Sequence, residues 1–206
     1  MATDLHKALS EISAIRGHIA RGAEFRGYGP ATLTATGVLA LAAALAQSYW
    51  LKNPERDLGA YLSIWVSTAV VSLLIISVET IVRARRLHSG LAGQMMQAAA
   101  EQFLPAIVAG LLLTVVLLRS APQSLWMLPG LWQIVFSLGV FASCRFLPRP
   151  MFVAGIWYLC CGLIYLALGP GPQALSPWAM GVPFGVGQLL VGAVLRADYR
   201  GERERA

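Results

Sequence analysis

Charge is scarce in this sequence. Only 13% of its 206 residues are Asp, Glu, Lys or Arg, against 57% hydrophobic. That balance excludes an ordinary soluble domain, in which about a quarter of the residues are charged. Cysteine is also sparse. Cys144, Cys160 and Cys161 form no CxxC and no Cys/His set at metal-ligand spacing, which argues against a disulfide framework and a structural metal. The three histidines, His6, His18 and His88, all lie outside the apolar runs. The facing pair of membrane histidines that a b-type haem needs is therefore absent. No Ser/His/Asp set, HExxH, GxSxG or glycine-rich phosphate loop occurs either. The expectation is a protein that is not an enzyme, with no catalytic residues, no metal and no cofactor.

What is abundant is uninterrupted apolar sequence. Six runs, Ala31–Leu51, Leu58–Val82, Ala98–Leu118, Ser124–Cys144, Met151–Gly169 and Pro177–Leu195, each approach the length a helix needs to cross hydrocarbon about 30 Å thick. Only helices and closed barrels satisfy the backbone in lipid, and continuous runs lack the alternation of a barrel strand. The predicted fold is an all-α, polytopic membrane bundle of about six spans.

The charges that do occur are segregated. The net charge is +6, and thirteen of the sixteen Lys and Arg fall before the first run, after the last, or in the second and fourth connections. The other three are Lys52, Arg56 and Arg119. Cytoplasmic loops concentrate Lys and Arg, so this pattern predicts both termini inside the cell. Basic character here reflects topology and anionic headgroups, not direct nucleic-acid binding. Ala44-Leu45-Ala46 resembles a signal-peptidase site, but the preceding stretch holds Asp4, Glu11 and Glu24, a poor leader. The first span is expected to be retained.

Residues 1–30 form their own region, 31–196 the membrane domain and 197–206 a charged cytoplasmic tail. In the first region Leu5, Leu9, Ile12, Ile15 and Ile19 recur at helical steps, with Lys7, Glu11, Arg16 and Arg21 on the other side. This is an amphipathic cytoplasmic helix that lies on lipid or docks a protein. Gly27-Tyr28-Gly29-Pro30 ends it. In the second connection Arg83, Arg85 and Arg86 are expected to contact inner-leaflet headgroups, and Leu91–Ala100 to run along the interface before turning in.

Four polar residues within or at the edge of the runs are candidates for an intramembrane site: Glu79, Glu101, Gln133 and Gln188. Glu79 stands four residues before Arg83, the spacing of a helical ion pair, while a buried proton-carrying acid is the sharper alternative. Gln133 and Gln188 neighbour the helix-breaking Pro129-Gly130 and Gly181–Gly187 segments, where a transporter would bind solute. Ordinary helix-to-helix hydrogen bonding is the competing use. Gly37, Gly181 and Gly185 are expected at close helix contacts, the last two forming GxxxG around Pro183.

The pattern Leu9-x-x-Ile12-x-x-Ile15-Arg16-x-x-Ile19-x-Arg21, then a glycine-rich turn and an Ala/Gly-rich helix, resembles the opening of a family of uncharacterised bacterial six-span membrane proteins. Members typically carry an IRxxMxR helix, with methionine where this chain has Ile19, and some are encoded beside a winged-helix transcription regulator. The resemblance implies a non-enzymatic protein that regulates or anchors a cytoplasmic partner at the membrane. The alternative is a small transporter or channel-like protein for a neutral or lipophilic solute, which with six helices would call for a homo-oligomer.

Overall fold

The computed structural model describes residues 29–87, 90–144 and 150–203, and these are all helix, turn and connection, with no strand among them. Six helices follow in order: α1 (Pro30–Trp50), α2 (Leu58–Leu87), α3 (Gly90–Ser120), α4 (Leu128–Ser143), α5 (Pro150–Leu168) and α6 (Pro177–Arg203). A 3-10 turn, Pro122–Met127, leads into α4. Among the described residues, five stretches are long and apolar enough to cross a membrane, namely Ala31–Trp50, Leu58–Val82, Ala100–Ser120, Pro122–Ser143 and Met151–Leu168. Helix α6 carries Pro183 in its interior, flanked by Gly181, Gly185 and Gly187.

Local chemistry explains the helix starts. Pro30 opens α1 at the first position, where its missing N–H costs nothing, and Gly29 precedes it in extended conformation. Asp57 Oδ1 accepts from the Ala60 N–H at 3.0 Å, covering one free donor at the start of α2. Pro129 likewise lies in the first turn of α4, and the four residues from Ser124 at the start of this span are wound as the end of the 3-10 turn, within the apolar stretch Pro122–Ser143.

Helices α2 and α3 are longer than their apolar runs. At 30 and 31 residues they reach about 45 Å, half as long again as a bilayer core is thick. The expected interfacial segment Leu91–Ala100 is simply the first third of α3, continuous with the span that follows. Pro105 sits inside this helix without ending it.

The helices form a ring in chain order, closed by the first and last. Helix α1 lies most intimately against α6, followed by α4 with α5 and α3 with α4; α2 and α3 touch only slightly. The loops 51–57, 121–127 and 169–176 gather at what is termed here the distal end. Two apolar clusters fill the ring. A distal one groups Ala43, Ala44, Tyr61, Trp65, Leu175 and Met180; a proximal one groups Leu33, Ala154, Tyr158 and Val191. Phe184 packs against both, and Phe136 meets Phe103, Tyr158 and Phe184 edge-on at 4.7–5.3 Å.

Candidate functional site

Polar side chains inside the ring converge on one element, the distal part of α6. Pro183 has no N–H, so the carbonyl of Ala179, one helical turn earlier, loses its usual donor. Gln133 of α4 supplies one: its Nε2 donates to Ala179 O at 2.7 Å. On the far side of the break, Trp157 Nε1 of α5 donates to Pro183 O at 2.9 Å. Helix α1 contributes Gln47, whose Nε2 donates to Leu175 O at 2.9 Å just before α6 begins. Its Oε1 in turn accepts from Trp65 Nε1 of α2 at 2.7 Å. Tyr165 reaches Trp178 O at 3.3 Å. In lipid a bare carbonyl costs several kcal/mol, so these donors make an interrupted helix tenable.

The face of α6 toward α1 is made of glycine. A Cβ on Gly181 would collide with Ala44 Cβ, and one on Gly185 would lie 2.6 Å from the Leu41 side chain. A Cβ on Gly37 of α1 would come 3.0 Å from Gly185 O. Helix backbones so close gain dispersion contacts, the main attraction available in lipid. The same device joins α4 to α5, where a Cβ on Gly130 would meet Gly162 O at 2.9 Å and one on Gly162 would meet Gly130 O at 2.7 Å.

The two glutamines among the four polar candidates stand at different levels of α6. Gln133 is fully buried at the level of Ala179. Gln188 is half-buried, with its Cβ against Gly37 and its side chain beside the Tyr158 hydroxyl. From residue 179 to residue 188 is about 13 Å along α6, so the two glutamines do not bracket one solute. Glu79 of α2 is half-buried and Glu101 of α3 exposed, on two helices whose contact is slight. Arg83, Arg85 and Arg86 fall on the last turns of α2, and their side chains lie outside the described residues. So do Leu5, Leu9, Ile12, Ile15, Arg16, Ile19 and Arg21 of the amphipathic segment, with the charged end of the tail. The hydroxyls of Ser63, Ser67 and Thr68 turn back on the carbonyls of Gly59 and Ile64 at 2.7–3.0 Å.

Sequence reasoning passed over Gln47 and the pair Trp132–Thr114, in which Trp132 Nε1 donates to Thr114 Oγ1 at 2.8 Å and ties α4 to α3. Gln47 carried a usable signal, an amide inside an apolar run, but it stands beside the interfacial pair Tyr49-Trp50, which explains it without a partner. Those two rings are 74% and 82% exposed, as headgroup-level side chains would be. Comparison with protein-family models, curated proteins and solved structures finds no match to this chain.

Proposed function

We propose that this chain is a non-enzymatic, six-span protein of the bacterial inner membrane that anchors or regulates a cytoplasmic partner. Helix α6 is the sixth span in this reading, and both termini are cytoplasmic, because Lys and Arg crowd the connections on that side. The observation that carries the proposal is how the bundle spends polar groups in its interior. Gln47, Gln133 and Trp157 each close a bond to a main-chain carbonyl of α6 or its approach. Groups so committed serve a scaffold. A solute path needs polar groups free to exchange partners, which favours the anchoring role over transport.

The docking element is the amphipathic stretch Leu5–Arg21, with Arg83, Arg85 and Arg86 against anionic headgroups. The partner is a cytoplasmic protein, and a transcription regulator is the class that the sequence resemblance points to. Deleting residues 1–24 should abolish recovery of that partner in a crosslinked pull-down while the solubilised bundle remains monodisperse. Equal recovery with and without the segment would refute the assignment. A C-terminal tag should be protected from protease in intact cells, and its cleavage would invert the topology.

A further inference from the structure

We infer that a water molecule held inside the bundle bridges the Tyr61 hydroxyl of α2 to Oε1 of Gln133 of α4. Both residues are fully buried, and both of these atoms are buried without a hydrogen-bond partner among the described residues. The amide of Gln133 cannot be turned round to solve this. Ala179 O only accepts, so Nε2 must face it and Oε1 must face away. What remains is an acceptor on α4 and a donor on α2, each costly to leave bare.

Both residues are placed near the start of α6. Tyr61 packs in the cluster that contains Leu175 and Met180, while Gln133 is bonded to Ala179, the neighbour of Met180. Trp132, adjacent to Gln133 in the chain, leans on that same cluster. The chemistry selects the ligand. Neither group is charged, and two neutral oxygens are too few to replace an ion's hydration shell. A molecule between them must accept from a phenol and donate to an amide carbonyl, and a closed interior admits only a small one. Water meets all three conditions, and folded proteins hold on the order of one buried water per 27 residues for this purpose.

The bridge has a mechanical consequence. Helices α2 and α4 share almost no direct contact, and α2 has no buried residue from Val66 to Val82. Water would tie the most loosely held helix to the centre of the bundle, beside its bond to Gln47 through Trp65.

A double-mutant cycle on the full-length protein in detergent tests this. Tyr61→Phe keeps the ring and removes only the hydroxyl. If the hydroxyl holds a bridge, its loss lowers the melting temperature, by about 2–4 °C for a loss near 1 kcal/mol. If it is merely stranded, its loss leaves the melting temperature unchanged or raises it, and the inference fails. In a Gln133→Met background the bridge is already gone, so Tyr61→Phe should then have little or no effect. A loss of the same size in both backgrounds would overturn the inference. A high-resolution map should show an ordered scatterer within hydrogen-bonding distance of both atoms.

Discussion

A single amide illustrates what decides the fate of a polar residue in this bundle. Gln133 in an apolar run suggests either a solute contact or a helix-to-helix bond, and periodicity does not separate them. The choice is made by Pro183, fifty residues later, which frees the Ala179 carbonyl that Gln133 then satisfies. Gln133→Leu should therefore strand that carbonyl and cost about 1–3 kcal/mol, read as a lower melting temperature in detergent. Gln188→Leu, at a half-buried position, should cost less. Glycine tells a similar story with the opposite sign of volume. Gly185→Leu would drive a side chain into Leu41, and overpacking of this kind costs about 1–3 kcal/mol or more. Loss of the folded, monodisperse species is the expected readout. Gly169, with φ +74° in the loop before α6, is a different case: its backbone conformation, not its surroundings, favours glycine.

Among the elements, α2 stands apart. Glycine contacts zip α1 to α6 and α4 to α5, and Gly139 of α4 seats Phe103 of α3. Helix α2 is held chiefly at its distal end, through Tyr61, Trp65 and Gln47. Beyond Val66 its Val, Leu and Ile side chains are exposed over most of the circumference, which in a bilayer means contact with acyl chains. Leu74→Ala on this face should change stability by no more than about 0.5 kcal/mol. Leu128→Ala, at a fully buried position in the first turn of α4, should cost about 2–5 kcal/mol. Equal effects at the two sites would show that α2 is packed against something further. Hydropathy placed an apolar run, Leu58–Val82, inside α2, but it could not foresee that the helix continues through Leu87. Polar and basic residues beyond the hydrocarbon boundary carry a helix as readily as apolar ones.

For the whole molecule, the closing contact is the least local one. Most interfaces join helices that follow one another in the chain, yet the most extensive one joins the first helix to the last. Small residues on both faces allow that approach: Gly37, Ala40 and Ala44 on α1, Gly181 and Gly185 on α6. A chain ended at Ser176 would leave this face of α1 uncovered and remove the acceptors of Gln133 and Trp157. It should fail to accumulate as a monodisperse species by size-exclusion chromatography. Survival of a well-behaved five-helix bundle would show that α6 is an accessory, not the keystone of the ring.

Apolar run length by itself determined that the described residues are helical and where five stretches long and apolar enough to cross a membrane lie, because a bilayer imposes one length and one way of satisfying the backbone. The positions of Gly181 and Gly185 were also legible, since small residues at helical spacing have few other uses in lipid. Only the tertiary structure decided which helix meets which, that Gln47 and Gln133 serve the backbone of α6, and that Gln133 and Gln188 occupy different levels. Such pairings link residues as much as 128 apart in the chain. A hydrogen bond depends on where both partners end up in space, and a one-dimensional pattern records only that each is polar.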